Sequence, residues 1–405
     1  MTNTRNAKPE APMKNHPLPA MALRATMRQI VNGRGSAVRN WGLWIAGALI
    51  MPLCAAAQNG TPGLKDAFQS DFAIGVAVNQ NQFSERDPRG NPIINAQFNS
   101  ISPENILKWE SIHPRADGYA FEGPDQYVKF GEDRQMLLVG HTLVWHSQTP
   151  RWVFQGANGR ELQGTNAADR DLLLQRMRDH IQTVVGRYKG RIKIWDVVNE
   201  ALNEDGTLRQ SPWMRIIGED YIAKAFQYAH EADPDAVLRY NDYSLENEPK
   251  RNGAIALIKK LQAQGAPVTS IGLQGHCNLS FPTVAQEDAT IAAFASLNLQ
   301  LMITELDIDC SQGGQRTTSA DVAAQAQRGA NSAAGTLSDA LQQQLAKRYS
   351  DLFGVFLKYK KNIKLVTFWG VTDADSWRRN GNPLLFDRTG RPKPAFDAVM
   401  KAAGQ

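Results

Sequence analysis

Short apolar runs recur eight times along the chain, at 72–78, 96–101, 136–145, 192–199, 237–241, 271–276, 301–306 and 365–369. They lack the strict polar alternation of a half-exposed sheet, so they read as strands buried on both faces. Between most of them the apolar positions fall at helical spacing. Leu172, Leu173, Met177, Ile181, Val184, Val185 and Tyr188 trace one such face, with Asp171 as the expected cap. Tyr221, Ala225, Tyr228 and Ala229 trace a second, and Ile255, Ile258 and Leu261 a third; residues 337–359 are long enough for several turns. Parallel strands separated by helices predict an α/β protein, and eight such units predict a (β/α)8 TIM barrel forming a single catalytic domain over 58–405. A doubly wound open sheet would need a glycine-rich phosphate turn after an early strand, and the first strand runs into Val76-Ala77-Val78-Asn79 instead. One stretch is biased in composition: residues 311–335, rich in Ala, Gln, Ser, Thr and Gly, follow the seventh strand, where a barrel puts a loop of its catalytic mouth.

The 405 residues are 42% hydrophobic and 21% charged, a soluble globular balance. The formal charge of +5 is unevenly placed. Residues 1–57 hold seven Lys/Arg and one acid, which leaves 38 of the 45 basic and 39 of the 40 acidic residues for the remainder. That remainder is near neutral, so neither nucleic acid nor a membrane surface is expected as a partner. The leader itself reads as a signal peptide: a basic segment, an apolar run at 41–53, then Ala55-Ala56-Ala57 as the expected cleavage point. Its long basic segment leaves Met21 and Met27 as alternative starts, and Leu53 before Cys54 argues against lipid attachment. The expected location is secreted or periplasmic. Past the leader remain Cys277 and Cys310. Neither has a neighbour at ligand spacing, so no metal is expected. Free thiols and a disulfide are both open readings, and their places after adjacent strands six and seven make the disulfide the expectation to test.

In a barrel, residues at the carboxyl ends of the strands face one mouth however distant they are in sequence. In chain order those ends carry Glu104, Asn105 and Lys108; His141, Trp145 and Gln148; Asn199 and Glu200; Asn241 and Tyr243; Gln274 and His276; Glu305 and Asp307; and Trp369, followed by Trp377. Two glutamates from different strand ends are the equipment of glycoside hydrolysis. Amide, imidazole and ammonium groups suit sugar hydroxyls, and tryptophan suits the apolar face of a sugar ring. No cofactor is called for by this set.

The motifs that carry a family resemblance are Ser102-Pro103-Glu104-Asn105 with Lys108-Trp109, the run from Gly140 through His141 and Trp145 to Gln148, and Trp195-Asp196-Val197-Val198-Asn199-Glu200. Further on come Tyr240-Asn241-Asp242-Tyr243, Gln274-Gly275-His276, Thr304-Glu305-Leu306-Asp307 and the run from Phe368 to Asp373. On these the chain resembles glycoside hydrolase family 10, the endo-β-1,4-xylanases, from about Gly63 onward. The resemblance implies Glu200 as acid/base and Glu305 as nucleophile of a retaining enzyme acting on xylan. Asn199 would hydrogen-bond the 2-hydroxyl at the cleavage site, and His276, backed by Asp307, would hold Glu305. Glu104, Asn105, Lys108, His141, Gln148, Trp369 and Trp377 would line the glycone side, and Tyr243 would stack or hydrogen-bond on the aglycone side. Trp145 and Gln274 complete the expected sugar-facing set. A monomer is expected. The cysteines and the 311–335 stretch depart from the family pattern and bear on aglycone preference, for which the expectation is that 311–335 shapes aglycone binding. A β-1,4-glucanase or dual-specificity barrel is the neighbouring reading, and a non-catalytic carbohydrate-binding barrel the remote one.

Overall fold

A computed structural model describes residues 62–311, 336–378 and 380–404. The leader and all but the first residue of 311–335 lie outside the described residues. Eight parallel strands form the barrel: β1 (Ala73–Val78), β2 (Ser100–Pro103), β3 (Leu137–Gly140), β4 (Ile194–Asn199), β5 (Val237–Asp242), β6 (Ser270–Leu273), β7 (Gln300–Asp309) and β8 (Ile363–Phe368). Each pairs with the next, and β8 closes the ring onto β1 through Ala73↔Leu365 to Val76↔Phe368. Val139, Ile194, Met302 and Leu365 form a small apolar cluster contributed by four strands of the ring. A second, larger cluster joins the other strand residues, such as Trp195, Val197 and Ile271, to apolar residues of the helices. With both faces covered, every residue of β4 is buried, which is why its sequence lacks alternation.

The helical spacings hold with one shift. Helix Ala167–Arg187 buries Leu173, Met177, Ile181, Val184 and Val185 as expected, but starts a turn earlier than Asp171. Asn166 is the cap, its side chain accepting from the Ala168 N–H. Helix Asp339–Lys358 starts at Ser338, which caps it through the Leu341 N–H.

Three of the apolar runs lose three or more residues at one end of the strand. At 96–101 the helix Gly90–Gln97 continues through Ala96 and Gln97, and the strand begins only at Ser100. Ser100 is buried all the same, because its hydroxyl donates to the Leu137 carbonyl. The 136–145 run splits after Gly140, where the Leu143 N–H and the Thr142 hydroxyl both turn to the Asp196 carbonyl, and pairing with β4 resumes at Val144–Trp145. The 271–276 run stops at Leu273. Gly275 then takes φ +74, which a side chain disfavours, and His276–Asn278 pairs again with Asp307–Asp309.

That last register decides the cysteines against the disulfide. Cys277 lies opposite Ile308, two residues short of Cys310. An offset of about 6.6 Å along the strand and about 4.8 Å across it puts the Cα atoms beyond the span of a disulfide. Both thiols are free and buried, and the Cys310 Sγ donates to the Ile308 carbonyl instead. Burial pushes the Cys310 thiol up to about 12 and that of Cys277 well above its ordinary value. The folded protein without its leader should therefore show no reactive thiol and the denatured, unreduced protein two. A result of none after denaturation would contradict the register.

Candidate active site

The polar residues rise from the apolar interior in order. Asp196 on β4 and Arg239 on β5 form a fully buried bidentate pair, Nε to Oδ1 at 2.6 Å and Nη2 to Oδ2 at 3.0 Å. The Asp196 Oδ2 also meets the His141 Nδ1 at 2.9 Å. Burial alone would raise the Asp196 carboxyl, but Arg239 and His141 outweigh it and hold it down to about 2. Neither Asp196 nor Arg239 was among the sequence candidates. The available signal was a charged residue in the middle of each of two buried strands.

Glu200 follows β4 directly, with φ +57, a left-handed conformation uncommon for a residue with a side chain. Its carboxylate takes three side-chain donors: Trp145 Nε1 to Oε2 at 2.8 Å, and Gln274 Nε2 and Asn199 Nδ2 to Oε1 at 3.0 and 3.2 Å. Gln274, expected to face sugar, thus holds Glu200. Glu305 on β7 accepts from Asn241 Nδ2 at 2.8 Å and meets His276 Nε2 at 3.2 Å. The Asn241 amide also donates to Asn199 Oδ1 at 2.9 Å, so one unbroken chain of hydrogen bonds runs from Glu200 through Asn199 and Asn241 to Glu305. Room for Asn241 comes from Gly272 on β6: a Cβ there would stand 2.3 Å from the Asn241 Oδ1.

The two carboxyls are biased in opposite senses. Burial raises Glu200 and outweighs the Gln274 and Trp145 bonds that lower it, with the negative charges of Asp242 and Glu305 adding to the rise. Burial would raise Glu305 as well, but the His276 hydrogen bond, the His141 and His276 charges and the Asn241 bond reverse the sign, so it lies below its ordinary value. His276 can play that part because Asp307 and Glu305 together overcome its burial and push it up to about 9. An imidazolium donates from both nitrogens, and its Nδ1 lies 3.1 Å from the Asp307 Oδ2. Asp307 is in turn held by Trp377 Nε1 at 2.6 Å and Arg378 Nε at 2.8 Å. Arg378 was missed in the sequence, where it adjoins Trp377 without a motif of its own.

Lys108 joins the residues after β2 to those after β3, its Nζ donating to Asn105 Oδ1 at 3.0 Å and Gln148 Oε1 at 2.9 Å. It stands 5.1 Å from the centre of the Trp145 ring. Burial lowers its ammonium despite the opposing pull of Glu305, Glu104 and Glu200. Glu104 is raised, chiefly by burial. Trp369 packs edge-on against His141 at 5.4 Å, and Trp377 lies 4.9 Å from the His276 ring. Tyr243 stands apart. It is 3% exposed, its hydroxyl accepts from Arg209 Nη2 at 2.9 Å, and the Lys250 Nζ covers one ring face at 3.4 Å. At most the other face is open to a sugar.

Residues 63–402 match the model of Glycosyl hydrolase family 10. The chain belongs to that family. Among similar proteins, the chain is 39% identical over 365 residues to endo-1,4-beta-xylanase A of Xylanibacter ruminicola, covering 88% of this chain and 97% of the relative. It is 41% identical over 349 residues to endo-1,4-beta-xylanase B of Paenibacillus barcinonensis, covering 84% and 98%. A similar solved structure is an intracellular xylanase from Thermoanaerobacterium saccharolyticum, a mutant in complex with xylotriose. It has a TM-score of 0.74 and 37% identity, over 84% of this chain and 99% of that one. As in other TIM barrels, the polar side chains of this family-10 chain gather at the carboxyl ends of the strands.

Proposed function

We propose that the chain is an endo-β-1,4-xylanase that cleaves xylan by retaining double displacement, with Glu200 as acid/base and Glu305 as nucleophile. The observation that carries this reading is the opposed bias of two carboxyls joined by one hydrogen-bond chain. An ionised Glu305 attacks the anomeric carbon while a protonated Glu200 gives its proton to the leaving oxygen. The C–O bond to the leaving sugar breaks as the glycosyl ester with Glu305 forms. Esterification removes the negative charge of Glu305, one of the charges that raise Glu200. Glu200, its proton already given to the leaving oxygen, then stays ionised more easily and takes a proton from water as the ester is hydrolysed. In this reading Asn199, whose amide spans Glu200 and Asn241, meets the 2-hydroxyl at the cleavage site.

Xylan as substrate is supported by the names of the relatives and by the xylotriose held in a similar structure. The enzyme acts, in this reading, as a monomer exported by its leader and cleaved after Ala57. Retention is tested by following the anomeric proton signals of fresh product: β-anomer first, α-anomer only as mutarotation proceeds. Early α-anomer would refute the nucleophile assignment. Side-by-side digestion of xylan and carboxymethylcellulose tests the substrate class, and equal rates would favour a dual-specificity glycosidase.

A further inference from the structure

The backbone around Glu200 is held as closely as its carboxyl. The Glu200 N–H donates to the Asn241 carbonyl at 2.9 Å, and Arg209 Nε donates to the Glu200 carbonyl at 3.2 Å. The next N–H, of Ala201, has a side-chain acceptor, the Tyr240 hydroxyl at 3.2 Å. Tyr240 in turn donates to the Asp242 Oδ2 at 2.5 Å. Both residues are on β5 and fully buried. A buried carboxylate needs a counter-charge, and the helix Glu248–Ala263 supplies one. The Lys250 side chain is 0% exposed, with its Nζ 3.1 Å from the Asp242 Oδ1 and 3.3 Å from Glu204. The same ammonium covers the Tyr243 ring.

A left-handed backbone at a residue with a side chain costs free energy and persists only when its surroundings over-determine it. Here the peptide groups flanking Glu200 meet Asn241, Arg209 and Tyr240, and the Tyr240 contact ends on a buried ion pair that no step of the mechanism uses. We propose that Tyr240 and Asp242, with Lys250 as their buried counter-ion, form a positioning unit that fixes Glu200 for proton transfer to the leaving group. Tyr240 and Asp242 touch no reacting atom; they act through the Ala201 peptide and through charge. The groups facing Asp242 are Lys250, Tyr240, the Tyr243 N–H at 2.9 Å, and through space Glu200, Arg209, Tyr221 and the Tyr243 phenol. Its negative charge helps keep Glu200 protonated.

This proposal rests on Glu200 being the acid/base, and leaving-group chemistry separates the two ideas. A phenyl leaving group needs protonation, whereas a dinitrophenyl group departs unaided. The test compares kcat/KM of Tyr240→Phe on phenyl and dinitrophenyl β-xylobioside, with Glu200→Ala as reference. Tyr240→Phe should lose about tenfold on the phenyl substrate, stay within about twofold on the dinitrophenyl one, and leave KM unchanged. A loss shared equally by both substrates, or none on either, would overturn the positioning role. If Glu200→Ala itself shows no leaving-group dependence, the acid/base assignment falls, and this proposal with it. Asp242→Asn keeps an acceptor for Tyr240 but removes the charge. Glu200 must be protonated to act, so activity is lost as pH rises through its pKa. Without the negative charge that helps raise that pKa, the alkaline limb of kcat/KM on the phenyl substrate should move to lower pH. A limb that stays in place would overturn the electrostatic half of the proposal.

Discussion

Replacing Glu305 with alanine should abolish hydrolysis of xylan and of every aryl xylobioside alike, whereas replacing Glu200 should spare substrates with a good leaving group. The difference comes from what each carboxyl supplies. Without Glu305 no glycosyl ester can form, and no leaving group compensates; a loss on the order of 10⁵-fold or more is expected on all substrates. Without Glu200 the proton for the leaving oxygen is missing, which costs about 10²–10⁴-fold where protonation is needed and little where it is not. The second step then lacks its base, so ester accumulates from a reactive aryl substrate. Azide, which attacks without giving up a proton, should restore turnover of Glu200→Ala and leave Glu305→Ala inert. Measuring kcat/KM on phenyl and dinitrophenyl xylobiosides for the first step, and kcat with and without azide for the second, distinguishes the roles. Azide rescue of the Glu305 variant instead would exchange them.

The second large effect is on stability. Asp196→Ala leaves the Arg239 guanidinium without its bidentate partner in a site 1% exposed. An uncompensated buried charge costs about 3–5 kcal/mol, a large part of the stability of an ordinary domain. The double variant Asp196→Ala/Arg239→Met removes both charges and should recover most of that loss in chemical denaturation. It would not recover activity, because the His141 Nδ1 loses its partner in either case. Equal destabilisation by the single and double variants would show that burial of the charge is not the dominant cost.

The barrel was legible in the sequence, and so were the two carboxyls that one hydrogen-bond chain joins, because both depend on local pattern. A strand buried on two faces carries its signature in a few consecutive residues; Glu200 directly follows such a run and Glu305 lies within one. What escaped depends on pairing across the ring. Asp196 and Arg239 are 43 residues apart, and neither shows in sequence that the other lies beside it. Tyr240 reads as one more strand aromatic until its hydroxyl is seen under the Ala201 N–H. The cysteines were misread for the same reason. Their strands are adjacent as expected, but the two-residue offset between them is a property of register, which the turn at Gly275 sets. The helix start moved because Asn166 offers a capping oxygen a turn ahead of Asp171, a competition between two good caps that the residue types alone do not rank.

Gly272 shows how much of the geometry between the two carboxyls is held in empty space. It has no polar side-chain atom, yet the Asn241 amide that links Glu305 to Asn199 occupies the volume a methyl group would fill. An inventory of charged and polar residues passes over it, and a search for activating substitutions would treat alanine there as harmless. Change in this mouth is therefore constrained at a position that carries no functional group of its own. The smallest side chain that could be added would displace the bridge between the two carboxyls before it altered any subsite.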